Sequence, residues 1–421
     1  MWKSLPAIAV SILFFGNGYA LDNPSSVKTK DISGRRPPAG PSVTESGTNF
    51  GPRDLLLRNS DDFSDRSGIS KEQVLEDLAI LKYALNNAYI GRSFLPKGAF
   101  AGLIAKIDAL ADNAGPSSST ILCNQLAKIA WEVPDYHFSV YHYSARCNSY
   151  SLKPQYGSVG GNVATQRELP WEISHANAGE QEVPIVAITS FLSSEDKKWA
   201  GLWPELQKIK DTAPAVIFDL RGNGGGDDRT AAKIAQQFYG QKFPDPVGFF
   251  AFNKDPAAHA ISANSYKIKE KRLLLDGQPV PDYVAERCRQ AIADLETSKP
   301  GSGVGGNFPP PPPIDPILLW KKPIYLLTDK SCVSACESMV QFFESHPYVR
   351  RVGDNTAGMM TFGDSGSVIL PNSQTEVNMG RKYWKRRDGR FLEKIGIEPT
   401  IRVPANSDAL QYALKDILKQ K

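Results

Sequence analysis

The sequence predicts an α/β fold with an N-terminal helical subdomain. Apolar runs at residues 183–191, 213–220 and 323–328 have strand length. Each is followed by a turn and then by a helical pattern, the alternation expected of α/β architecture. Residues 70–131, in contrast, hold helical periodicity throughout.

The elements follow in order. Lys3, the apolar stretch 7–15 and the small residues Gly18 and Ala20 read as a secretory signal over residues 1–20. The stretch is too short for a stable anchor, and no later run reaches spanning length. A secreted or periplasmic protein without stable membrane insertion is expected. Residues 21–67 are rich in Ser, Gly, Pro, Asp and Arg without an apolar period, and read as a flexible leader. A helical subdomain over 68–150 opens at Ser70, a cap with Gln73 three residues on; Val74, Leu78, Leu81 and Leu85 recur at helical spacing. Further helices are expected over 100–111 and 119–131, ending before Pro134, and a strand over 135–143.

The α/β core spans 183–404. The strand 183–191 leads to a helix over 196–210, and the strand 213–220 runs into Arg221-Gly222-Asn223-Gly224-Gly225-Gly226, with a helix from 229. An insertion at 241–320 holds a helix over 282–297 and the run Pro309 to Pro313, which favours an extended polyproline segment. It reads equally as a lid or a plain linker. The core resumes with a strand at 323–328, a helix at 335–343 and strands at 348–353, 367–370 and 375–383. A C-terminal helix closes the chain within 405–421.

A net charge of +4 over 421 residues, with no basic run longer than Lys385-Arg386-Arg387, argues against a nucleic-acid partner. Of five cysteines, Cys123 and Cys147 flank one helix-to-strand passage and form the preferred disulfide. Cys288, Cys332 and Cys336 remain unassigned. Cys332 and Cys336 lack companion ligands, so no metal site is expected.

Two segments carry chemistry. Ser334 stands where the strand 323–328 turns into a helix. There its hydroxyl either caps the helix or is presented over the sheet edge, beside the Ala335 amide at the helix N-terminus. Asp219 to Gly226 ends the neighbouring strand pattern with consecutive glycines, which let backbone approach a substrate closely. The lysine or third-glycine spacing of a nucleotide loop is missing.

Together with Val352-Gly353-Asp354-Asn355-Thr356-Ala357-Gly358 and Glu393-Lys394-Ile395-Gly396-Ile397-Glu398-Pro399, these segments resemble the tail-specific, or C-terminal-processing, serine peptidases and their tricorn-core and retinoid-binding-protein-like relatives. The resemblance implies a ClpP/crotonase-like core of ββα units, a peptide or protein substrate, no cofactor, and Ser334 as nucleophile. In the bacterial tail-specific enzymes a lysine just past Thr-x-Gly is the general base; here Met359 occupies that position, so a Ser–Lys dyad is not expected. The tricorn-type branch uses a histidine from an Asp-x-His segment and a glutamate, which match His137 in Asp135-Tyr136-His137 and Glu393. His137 is thereby assigned as base, with His142 as substitute, and Glu393 as the orienting group. Ala335 and one glycine amide, Gly225 before Gly224, are assigned as oxyanion donors. Arg221 and Asn223 are read as scaffold, and Asp227 and Asp228 as helix caps. The short passage between 143 and 183 leaves no room for a PDZ module. Two rivals share the fold: a non-catalytic ligand- or peptide-binding protein, and a Ser–His esterase.

Overall fold

The computed structural model describes residues 50–57, 66–142, 145–147, 169–310 and 313–420. The expected signal and most of the leader lie outside the described residues. Residues 50–57 depart from a flexible leader. They form a short 3₁₀ turn, Pro52–Leu55, with Leu55 buried, and the buried Asn264 binds the Leu55 carbonyl and the Leu57 N–H. Among the described residues no helix is long and apolar enough to cross a membrane.

Four helices open the described body: α1 (Lys71–Asn87), α2 (Gly91–Phe94), α3 (Ala99–Asp112) and α4 (Ser119–Glu132). The α1 cap forms as its sequence dictates: the Ser70 hydroxyl accepts the Gln73 N–H, and Gln73 Oε1 accepts the Ser70 N–H. After α4 the strand starts late. Asp135 Oδ1 accepts the N–H groups of His137 and Phe138, fixing a side-chain-closed turn where alternation suggested a strand. Only Ser139–His142 extends as β1, antiparallel to β2 (Ala145–Arg146). The disulfide Cys123–Cys147 ties α4 to the end of this hairpin.

The core then runs through β3 (Trp171–Ala178), β4 (Gln181–Ile188), α5 (Leu202–Thr212), β5 (Val216–Asp219) and α6 (Asp228–Tyr239). The region at 241–320 holds β6 (Val247–Phe252), α7 (Pro256–Leu275), α8 (Asp282–Thr297) and β7 (Val304–Asn307). The remaining elements are β8 (Ile324–Thr328), α9 (Ala335–Phe342), β9 (Val349–Gly353), β10 (Phe362–Gly363), β11 (Gly366–Ile369), β12 (Glu376–Met379), β13 (Lys382–Arg386), β14 (Ile401–Arg402) and α10 (Ala409–Lys419).

The central sheet has the order β14-β9-β8-β5-β4-β3, parallel except for β3. Both faces are buried, and strand alternation sorts the side chains between them. Val216, Phe218, Ile324 and Leu326 join α5, α6 and α9 in one core, while Ile217, Tyr325 and Leu327 face α10 across the other. A second sheet, β11-β12-β1-β2, packs with the N-terminal helices; a third is β10-β13-β6-β7.

Two expectations need correction. The region at 241–320 is built into the fold and is not a plain linker, since β6 pairs with both β13 and β7 and the first half of α7 is buried. That burial includes His259, Ser262 and Asn264, so α7 lacks the polar face that would have announced a helix. The single strand expected over 375–383 is two, because the chain passes from one sheet to another at Gly380 and Arg381.

Candidate active site

Parallel pairing of β5 with β8 sets Asp219 opposite Leu327, so the turns leaving both strands emerge side by side. The carboxyl ends of parallel strands are where open α/β sheets place ligands. Here the turns are knitted together: the Gly222 N–H donates to Asp329 Oδ1 at 3.2 Å, and the Val333 N–H to the Asn223 carbonyl at 3.2 Å. Arg221 braces the base of its turn through Asp219 and Asp408. Asn223, fully buried, donates to the Ile188 carbonyl at 2.9 Å and accepts the Gly225 N–H at 2.8 Å. Both residues are scaffold, as read from sequence. Asp227 caps α6 by accepting the Arg229 N–H.

Gly225 has φ +86°, and a Cβ there would sit 2.6 Å from the Val333 carbonyl and 3.0 Å from Ser334 Cβ. Only glycine lets the two turns touch. Its amide, however, is committed to Asn223. The preference for Gly225 over Gly224 as oxyanion donor therefore gives way. Among the described residues the N–H groups of Gly224 and Ala335 have no acceptor, and Gly224 is exposed.

Ser334 sits at φ 54°, ψ −117° immediately before α9. A non-glycine residue in this region costs about 1–3 kcal/mol and persists only where its surroundings impose it. Glu337 is part of what imposes it. This fully buried carboxylate accepts the Ser334 N–H at 3.2 Å, the Thr356 hydroxyl at 2.6 Å, and the N–H groups of Gly358 and Met359 at 2.7 and 2.6 Å. The segment 356–358 in turn interlocks with 392–397: the Thr356 hydroxyl accepts the Ile397 N–H, and the Lys394 N–H donates to the Gly358 carbonyl. Two of the sequence motifs are thus halves of one structural joint.

Asp135, His137 and Glu393 form a second, buried cluster, with a ring nitrogen and carboxylate oxygens all within 4.8 Å of one another. Glu393 Oε1 accepts the Tyr136 N–H at 2.7 Å, and Oε2 accepts the Thr361 and Met360 N–H groups at 2.9 and 3.3 Å. Asp135 Oδ2 accepts the Tyr89 hydroxyl at 2.8 Å. A Cβ at Gly363 would lie 2.6 Å from the Trp384 ring and 3.8 Å from His137 Cε1. The Ser334 and His137 clusters are joined by residues 358–361, held by Glu337 at one end and Glu393 at the other. Among the described residues no hydrogen bond joins Ser334 Oγ to the His137 ring.

Burial raises Glu393 to about 8, with Asp135 adding to the effect, and raises Asp135 to about 6. The Lys394 ammonium, which donates to the Trp131 carbonyl, is lowered by desolvation. Sterically the three residues could surround a cation. Their carboxylate oxygens already accept six protein donors between them, a set that suits an imidazole–carboxylate pairing better. His142 lies on β1 and His175 on β3; His259 contacts Asp294 at 3.7 Å, and His346 lies 3.3 Å from the Phe238 carbonyl.

Glu337 was given no role from the sequence, although its place three residues after Ser334 is the capping-box position. Tyr89 carried no local signal; only the tertiary fold brings it to Asp135.

The model of Peptidase family S41 matches residues 182–403. Among solved structures, the chain is similar to a candidate peptidase from Parabacteroides merdae at 16% identity and TM-score 0.49, covering 84% of this chain and 95% of that one. Mature CPAF complexed with lactacystin is 14% identical, with TM-score 0.47 and coverage of 83% and 97%. The photosystem II D1 C-terminal processing protease is 14% identical, with TM-score 0.34 and coverage of 59% and 53%. No curated protein matches the chain. The interlocked motifs lie inside the matched region, and the chain belongs to peptidase family S41.

Proposed function

We propose that this chain is a secreted serine peptidase that hydrolyses peptide bonds through an acyl-enzyme on Ser334. His137 takes the Ser334 proton and returns it to the leaving amine, a task suited to an imidazole. Glu393 orients the ring from within 4.8 Å. The Ala335 and Gly224 amides receive the oxyanion, where each donor is worth about 2.7–4 kcal/mol in the transition state. Substrate binding draws the imidazole and hydroxyl into hydrogen-bond reach, since catalytic bonds are often long before the Michaelis complex forms.

The observation that carries this reading is the backbone of Ser334. A strained strand-to-helix turn beside two amides without acceptors presents a nucleophile, whereas helix capping needs no such strain. The test is labelling with a serine-directed fluorophosphonate. Wild type should be modified at Ser334, Ser334→Ala should not, and His137→Ala should react far more slowly. Undiminished labelling of Ser334→Ala would put the nucleophile elsewhere.

One observation favours a second reading, a non-catalytic peptide- or ligand-binding protein. Met359 stands at the family's lysine position, and a thioether accepts no proton at neutral pH. Peptide binding that survives Ser334→Ala, with no adduct in wild type, would select it. Turnover of simple esters but not peptides would select an esterase.

A further inference from the structure

Cys332 and Cys336 stand two residues before and two after Ser334, and they are joined by a disulfide with Cα atoms 5.3 Å apart. Both are fully buried. The bridge therefore closes a short ring of chain with Ser334 at its centre. Cys336 belongs to the first turn of α9, and Cys332 lies in the preceding turn, where its carbonyl accepts the Ala357 N–H at 3.0 Å. On the other side, the Glu337 carboxylate holds the Ser334 N–H together with Gly358 and Met359. The Ser334 backbone, at φ 54°, is thus flanked by a covalent bond and a buried carboxylate.

We infer that the Cys332–Cys336 disulfide is a positioning element for Ser334, holding the turn in the one geometry that presents both the hydroxyl and the Ala335 amide to substrate. The inference rests on the serine-nucleophile reading above and assigns to this bridge a task the other one lacks. Chain-entropy arguments separate the two. Cys123 and Cys147 are 24 residues apart and Cys332 and Cys336 only 4, so the longer loop constrains the unfolded chain more. A bridge that contributes little to global stability, yet encloses the reacting residue, acts chiefly on local geometry.

The experiment compares Cys332→Ala/Cys336→Ala with Cys123→Ala/Cys147→Ala. It measures thermal midpoints and the concentration dependence of Ser334 labelling by a fluorophosphonate, which separates the maximal rate from the half-saturating concentration. For the first variant, the maximal labelling rate should fall roughly tenfold to hundredfold with little change in half-saturation, and the midpoint should drop less than in the second. The second variant should label at the wild-type rate below its midpoint. Wild-type labelling rates in folded Cys332→Ala/Cys336→Ala would overturn the positioning role and leave the nucleophile assignment intact. Absence of Ser334 labelling in wild type would overturn both. Should that double variant not fold, the Cys123→Ala/Cys147→Ala protein, reduced with a phosphine and confirmed folded by circular dichroism, serves instead. Slow labelling restored by reoxidation supports the inference; an unchanged rate at full reduction refutes it.

Discussion

Glu337 and Glu393 hold opposite ends of one short strap: Glu337 accepts the N–H groups of Gly358 and Met359, and Glu393 those of Met360 and Thr361. Glu337 also binds the Ser334 amide, and Glu393 the amide next to His137. Two buried carboxylates therefore fix how the Ser334 turn and the His137 turn sit relative to each other. This reframes the Met359 position. Its side chain supplies no base, but its backbone N–H is part of the frame.

Glu337→Gln is the first expected loss. An amide keeps one acceptor oxygen and turns an NH₂ group toward donors that now face no partner. Leaving such buried groups unsatisfied costs about 2–3 kcal/mol. The urea midpoint should fall accordingly, and labelling of Ser334 should fall with it. An unchanged midpoint would show that the strap is held by other contacts.

Glu393 makes stability depend on pH. Its carboxyl is raised from 4.5 to about 8 by burial, then by Asp135. A raised acid holds its proton in the folded state after the unfolded chain has released it. The native state therefore binds more protons between the two values, and stability falls as pH rises through that window, with a limiting slope of about 1.4 kcal/mol per pH unit. The contribution is fully present below about 4.5 and lost by about 8. Denaturant unfolding from pH 4.5 to 8.5 should show this decline in wild type and a flatter curve in Glu393→Gln. Parallel curves would remove Glu393 from the effect.

Much of this frame was legible from the chain because its signals are local. The Ser70 cap, the glycine turn after β5 and the strand-to-helix step at Ser334 each follow from a few adjacent residues. The 20-residue helix α7 was not legible, since its buried first half shows no amphipathic stripe. Nor was the choice between Gly224 and Gly225, which turns on one hydrogen bond to Asn223. The Tyr89–Asp135 bond spans 46 positions, so no window of sequence contains it. The family resemblance implied that Glu393 and His137 work together, but not the backbone amides that occupy the Glu393 oxygens.

Asp77 tests the structural side of the molecule. Fully buried on α1, it accepts the Asn372 N–H at 2.9 Å and the Ser373 N–H at 2.8 Å, pinning the turn between β11 and β12 to the helical subdomain. Asp77→Ala leaves both amides without a partner and should cost about 2–4 kcal/mol, at about 1–3 kcal/mol per orphaned group with partial rescue by water. The labelling rate per folded molecule should not change. A drop in that rate under conditions where circular dichroism shows the variant folded would mean the turn communicates with Ser334.

The two glycines beside Ser334 should respond oppositely to one methyl group. At Gly224 a Cβ meets nothing within 4 Å, and the N–H survives substitution. Gly224→Ala should therefore keep most of the wild-type labelling rate. At Gly225 the same Cβ would lie 2.6 Å from the Val333 carbonyl and 3.0 Å from Ser334 Cβ, in a left-handed conformation that costs alanine about 1–2 kcal/mol. The clash is with backbone and cannot be relieved by rotating a side chain, so the Ser334 turn must shift. Because misplacing an oxyanion donor costs about 10²–10³ in rate, labelling of Gly225→Ala should fall by that order while its far-ultraviolet spectrum stays native. Equal rates in the two variants would mean that contact between the turns does not set the geometry of Ser334.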